Sequence, residues 1–166
     1  MTVRGLVTGI AVATVAIVQN PSAVVAQQQN IVQVASANDN FETLVQAVTA
    51  ADLAGTLSGA GPFTVFAPVD AAFEKLPSGA LSDLVSDRAA LRSVLTYHVV
   101  SGRLTAADLQ GRDYVTTVNG ERLRVRTMNG RVMVGNATVA MADVAASNGV
   151  IHAIDTVLMP PQPMRK

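Results

Sequence analysis

The sequence predicts a single α+β domain, with helices mainly in its N-terminal half and a meander of short strands after them. Three observations predict it. Apolar residues recur at helical spacing between Asn30 and Arg103. Period-two alternation and two Asn-Gly turns take over beyond Ser101-Gly102. One β-branched and aromatic run, Phe63-Thr64-Val65-Phe66, is contributed early, among the helices. No internal repeat or linker interrupts the chain, and 166 residues is an ordinary length for one domain with a full core.

The chain opens with a different kind of segment. Met1 to Arg4 carries one positive charge, Gly5 to Val18 is an uncharged stretch of 14 residues, and Ala23-Val24-Val25-Ala26 supplies small or modest side chains before a run of Gln. That order is the order of a secretory signal peptide, with cleavage expected after Ala26. The apolar stretch is shorter than the roughly 20 residues that span a bilayer. The tail from Met159 to Lys166 is proline-rich and ends structure. The expected organisation is a signal peptide over 1–26, a domain over 27–161 and a tail over 162–166, with no membrane span in the mature form.

Asp39 and Glu42 have capping-box spacing, and Phe41, Leu44, Val45 and Val48 continue at helical spacing. Leu53 and Leu57 extend a second short helix up to Gly59-Ala60-Gly61-Pro62. The strand Phe63–Phe66 is stopped by Pro68. Helices are then expected over Asp70–Leu76 and Ala80–Val85, with Pro77-Ser78-Gly79 between them. Asp87 caps a longer one in which Leu91, Val94, Leu95 and His98 share a face, and Thr105–Leu109 is one more helical turn. Val118-Asn119-Gly120-Glu121 and Met128-Asn129-Gly130-Arg131 then place Asn-Gly where both central residues can take positive φ. Between them Leu123 and Val125 alternate with Arg122, Arg124 and Arg126, so one face is buried and the other is basic. Strands over Ala137–Met141 and Val150–Ile154 follow, and Val157-Leu158-Met159 closes the domain.

Composition excludes several function classes. Twelve basic residues balance 12 acidic ones, and loss of Arg4 with the first 26 residues leaves 11 against 12, so no global field favours nucleic acid. The absence of cysteine excludes disulfides, thiolate zinc sites and a cysteine nucleophile. No G-x-S-x-G elbow, P-loop or Rossmann glycine pattern is present; Gly55-Thr56-Leu57-Ser58-Gly59 has serine in the wrong place. His98 and His152 are the two histidines, and neither has metal-site spacing with the other. The expectation is no catalysis, no metal and no cofactor.

Three blocks stand out together: TVFAPVDAAFEKLP from Thr64 to Pro77, LTYHVVSGRL from Leu95 to Leu104, and NGVIHAIDTVLMPP from Asn148 to Pro161. In this order and spacing they resemble the signature segments of the fasciclin (FAS1) family, over nearly the whole chain after residue 30. The resemblance implies a wedge-like β-sandwich of about seven short strands with several helices packed on one side. It also implies an envelope or extracellular location, periplasmic or beyond the cell, and roles in adhesion or surface binding, in the manner of single-domain secreted bacterial members. In animal members the Tyr-His region is associated with integrin binding, which the resemblance would place on Tyr97 and His98.

The motif residues also have local physical readings. Asp70 stands where a carboxylate caps the helix it opens, anchored by Phe66 and Phe73 on either side of Pro68. Tyr97 packs inside, and His98 satisfies a buried backbone group where helix gives way to strand. Asn148-Gly149 launches a strand in which Val150, His152 and Ile154 share one face, with Asp155 beyond its end. Thr64, Phe66, Pro68, Asp70, Phe73, Tyr97, His98, Asn148, Gly149, His152 and Asp155 are therefore expected to be structural.

Arg122, Arg124, Arg126 and Arg131 are the candidate surface-binding residues. Alternate strand positions lie about 6.6 Å apart, so their guanidinium groups could engage successive anionic groups. The alternative is a solvated edge that discourages strand addition, with Asp113 and Glu121 offsetting the charge. The function predicted is an adhesion or matrix-binding module for cell-envelope or matrix polysaccharide or a surface protein, aided by weak homo-oligomer formation through avidity. The competing function is a periplasmic carrier of a small apolar molecule or lipid, which requires a cavity of roughly 300–1,000 Å³ between helices and sandwich.

Overall fold

A computed structural model describes residues 29–59 and 61–160. The expected signal peptide over 1–26 and the tail over 162–166 lie outside the described residues.

The elements run α1 (Ile31–Ser36), a 3-10 turn (Asp39–Phe41), α2 (Glu42–Ala50), α3 (Ala54–Leu57), β1 (Phe63–Pro68), α4 (Asp70–Glu74), α5 (Ala80–Ser86), α6 (Arg88–Tyr97), β2 (Val99–Ser101), α7 (Ala106–Gln110), β3 (Tyr114–Thr116), β4 (Arg122–Met128), β5 (Arg131–Val134), β6 (Ala137–Ala146) and β7 (Gly149–Ile154). The fold is α+β with the helices mostly N-terminal, as the pattern of periods predicts.

The seven strands form one sheet in the order β2-β1-β7-β6-β5-β4-β3. Only β1 and β7 are parallel, paired from Phe63↔Gly149 to Pro68↔Ile154. Every other neighbour pair is antiparallel. The two ends of the sheet nearly meet: Val100 bridges Thr117, and Val118 N–H donates to Val99 O at 2.7 Å. The sheet therefore folds on itself and encloses an inner core.

Side-chain alternation divides that core in two. Phe66, Val100, Val115, Leu123, Val125, Val134 and Ile154 point inward and pack with Tyr97, Leu109 and Leu158. Val65, Ala67, Ile151 and Ala153 point the other way, against Ile31, Phe41, Leu44, Val48 and Leu91 of the helical layer. β1 and β7 are consequently covered on both faces, and β7 is buried at every position.

Several local expectations are corrected. Asp39 and Glu42 make no capping box; Asn38 caps the 3-10 turn through Asn40 N–H, and α2 has no side-chain cap of its own. The box lies earlier, where Asn30 and Gln33 exchange bonds at the start of α1. Asp87 does cap α6, accepting from Ala89 and Ala90 N–H. Of the two Asn-Gly turns, only Asn129-Gly130 has both φ positive, at 53° and 74°. At Asn119-Gly120 only Gly120 is positive, because the turn closes earlier, through Gly120 N–H to Thr117 O. β6 runs five residues past Met141. Two register shifts absorb the irregularity that hides it, with Asp143 at φ 58° inside the second.

Candidate binding surface

The signature blocks converge on joints between elements, where they satisfy buried backbone groups. Thr64 is fully buried; its Oγ1 donates to Gly102 O at 2.6 Å and accepts from Leu104 N–H at 2.8 Å, which fixes the exit from β2. Phe66 is also fully buried and stacks on the His152 ring, centroids 5.6 Å apart. Pro68 is the last residue of β1, opposite Ile154. Phe73 is half-buried against the helical core.

Asp70 does not cap its own helix. Its Oδ1 accepts from Thr43 N–H at 2.9 Å, so it caps α2, which has no cap of its own, and ties α4 to α2. The capping chemistry is that expected from the sequence, but the helix it serves is 27 residues away. Asn148 is a three-way joint. Its Oδ1 accepts from Ile31 N–H, and its Nδ2 donates to Leu57 O and Gly59 O, joining α1 and α3 to the start of β7. Gly149 follows because a Cβ there would lie 1.9 Å from Phe63 O. Asp155 Oδ1 accepts from Thr138 N–H, and Lys75 Nζ donates to Asp155 O at 2.8 Å.

Both histidines act as backbone clamps. Leu158 N–H donates to His98 Nε2 at 3.0 Å, which puts the ring proton on Nδ1, where it is donated to Val94 O at 2.7 Å. Burial drives the His98 pKa down to about 4, against the opposing pull of the Val94 bond. Asp143 N–H donates to His152 Nδ1, and His152 Nε2 donates to Leu104 O at 2.8 Å. Burial lowers its pKa too, opposed by that bond and by the Asp143 charge. The Tyr97 side chain lies in the inner core, and burial followed by the Glu121 charge raises its phenol pKa. With each ring nitrogen engaged by backbone, neither histidine has a free position for a ligand or a proton-transfer partner.

The space between helices and sheet tests the carrier reading. The apolar gap lined by Ile31, Leu44, Val48, Val65, Ile151 and their neighbours has a volume of about 20 Å³. That is room for about one water molecule and is far below a ligand cavity. A preformed carrier cavity is absent from that place, because the helical side chains fill it.

What remains outward is the arginine face. Arg122, Arg124 and Arg126 are exposed on β4 and alternate with buried Leu123 and Val125. Arg131 is exposed on β5, opposite Met128. α7 covers the opposite, inner side through Leu109. Neither Asp113 nor Glu121 forms a direct ion pair with these arginines. Asp113 is exposed just before β3, and the half-buried Glu121 precedes Arg122 and also acts on Tyr97. Among the described residues the only ion pair is Lys75–Asp155, at 3.9 Å. Register adds a residue that the sequence reading did not single out. Tyr114, 52% exposed, lies directly opposite Arg124. The alternation Tyr114-Val115-Thr116 carries that signal once the pairing is known. At the far end an open hollow of about 530 Å³ is bounded by Met128, Asn129, Arg131, Met133 and Thr138.

Comparison with known proteins agrees with the geometry. The Fasciclin domain profile matches residues 39–160. Protein sll1483 of Synechocystis sp. is 50% identical over 147 residues, covering 84% of this chain and 81% of that protein. Cell surface glycolipoprotein MPB83 of Mycobacterium bovis is 37% identical over 139 residues, covering 81% of this chain and 62% of that protein. Among solved structures, a FAS1 domain pair from the insect cell adhesion molecule Fasciclin I superposes with a TM-score of 0.70 at 20% identity. It covers 80% of this chain and 51% of that one. The chain belongs to the fasciclin (FAS1) domain family.

Proposed function

We propose that this protein is an exported, non-catalytic surface-binding module of the cell envelope or its surroundings, and that the outer face of β4 and β5 is its binding surface. One observation carries the reading: four exposed arginines share a face, and none of them is ion-paired with a described carboxylate. Exposed cations without partners contribute nothing to fold stability that a neutral residue would not, and they attract polyanions over a Debye length of about 8 Å at physiological salt. The resemblance of the chain to a mycobacterial cell surface protein supports the location. So does the order of charge, apolar stretch and small residues in the first 26 positions.

The test is binding of the purified protein, beginning at Gln27, to cell-envelope and matrix polymer preparations at low and high salt. A variant carrying Arg122→Ser, Arg124→Ser and Arg126→Ser runs alongside. Saturable binding that weakens with salt and is lost in the variant supports the proposal. Binding that the variant retains removes the arginine face and leaves adhesion to another surface. Export is tested separately, by the N-terminal residue of the protein recovered outside the cytoplasm, expected to be Gln27.

A further inference from the structure

The arginine face has a shape as well as a sign. Arg122, Arg124 and Arg126 follow one strand, and Arg131 stands beside the next outward position, Met128. By the rise of a strand, the four cations lie along one track of about 20 Å. Its paired flanks on β3 and β5 are neutral, and Arg112, exposed just before β3, acts on the Asp108 carboxylate. The outward neighbours on β3 are Tyr114 and Thr116, the outward neighbour of Arg126 on β5 is Met133, and β6 contains no basic residue. Within the paired strands the positive charge is therefore one file wide, and that distinguishes its partners. A charged bilayer surface is two-dimensional and rewards a broad basic patch, whereas a file of cations matches anions borne at intervals along a chain. Guanidinium also suits the anion chemistry, because its planar fork takes carboxylate or sulfate oxygens in pairs. Tyr114 supplies the complementary element: an exposed aromatic ring level with the middle of the track, flat and apolar on its faces and polar at its tip.

Resting on the reading of this face as the binding surface, we infer that the ligand is a linear acidic polysaccharide laid along β4. Successive carboxylate or sulfate groups meet Arg122, Arg124, Arg126 and Arg131, and one sugar ring packs on Tyr114 beside Arg124. The track sets the length of the recognised segment, since beyond about 20 Å a longer chain gains no further cation. Tyr114 gives affinity that salt does not screen, and the arginines give affinity that it does.

The test titrates the purified protein with size-fractionated oligogalacturonates and with sulfated oligosaccharides of matched lengths, from dimer to decamer, at several salt concentrations. Vesicles containing phosphatidylglycerol form a separate arm. Affinity is expected to climb with length and to level once the oligomer spans the track. Carboxylated and sulfated series differ only in which anion the guanidinium groups prefer. Arg124→Ser weakens binding roughly threefold and flattens its salt dependence, as loss of one exposed ion pair should. Tyr114→Ala weakens it roughly threefold with the salt dependence unchanged. Both positions are exposed, so both variants keep the fold, which circular dichroism checks. Arginine-dependent binding that is indifferent to oligomer length and to Tyr114, or that favours vesicles over every oligosaccharide, overturns the linear-glycan inference and leaves the binding face standing. Absence of binding in all arms, or binding unchanged by the triple serine variant, overturns the face itself.

Discussion

His98 should make the stability of this protein fall as pH drops from about 6.5 to about 4. The ring is buried, holds its proton on Nδ1 against Val94 O, and uses its bare Nε2 to accept from Leu158 N–H. A second proton would place N–H against N–H inside an apolar core. The folded protein therefore resists protonation until about pH 4, while the unfolded chain takes the proton at about 6.5. Between these values the unfolded state binds more protons, so stability rises with pH there and the contribution is complete above 6.5. The distance from 6.5 to about 4, at about 1.4 kcal/mol per pH unit, makes roughly 3 kcal/mol. The assay is urea unfolding between pH 7.5 and 4 for the native protein and for His98→Gln, whose amide does not titrate. The variant is less stable at neutral pH, and the gap between the two should close by roughly 3 kcal/mol on going to pH 4. Carboxylate titration and His152 affect both proteins alike and cancel. A gap that stays constant across this range would refute the assignment of His98 as a neutral clamp.

Gly149→Ala should be among the most destabilising single changes, because the new methyl group meets Phe63 O at 1.9 Å and the parallel β1–β7 pair must separate. A loss above about 3 kcal/mol is expected, read as a fall in thermal midpoint or as failure to fold. Asn148→Ala strands Ile31 N–H, Leu57 O and Gly59 O together; a cost of roughly 2–4 kcal/mol is expected in chemical denaturation, together with faster hydrogen exchange in α1. Asp70→Ala should cost only about 1 kcal/mol, and its exchange signature should appear at Thr43 in α2 and not within α4. The triple arginine-to-serine variant should leave the unfolding free energy within about 0.5 kcal/mol of the native value while abolishing salt-sensitive surface binding.

The parts of the fold legible in the sequence are those decided by short-range periodicity. The alternation of Leu123 and Val125 with arginines located β4 and its exposed face, and Asp87 located the start of α6. What escaped depends on partners distant in sequence. Asp70 has the right residue type in the right place to cap a helix, yet nothing local says that the helix is α2. Likewise Asp39 and Glu42 have the spacing of a box, but the 3-10 turn directs the chain so that Asn38 and Asp70 do the capping. The sequence pattern ends β6 at Met141, five residues early, because the register slips break its period of two. The position of Tyr114 beside Arg124 required the β3–β4 register, which no single strand encodes.

The same division separates what makes this chain a fasciclin domain from what would make it bind. Thr64, His98, Asn148, Gly149 and His152 all spend their polar or steric capacity on the backbone of neighbouring elements. Buried clamps of this kind tolerate few alternatives, since each substitution leaves an N–H or C=O without a partner. Their presence specifies the joints of the fold and says nothing about a ligand. The outward positions of β3, β4 and β5 belong to none of the three signature blocks, and their side chains hold nothing in place. Such positions can change without cost to folding, so a scaffold fixed by its joints can carry a different surface in each protein. In this chain the Tyr97 and His98 side chains face the core, which leaves adhesion through that motif without an exposed group to offer. On the function proposed above, binding specificity lies where the strand alternation turns charge to solvent, in the file of arginines on β4.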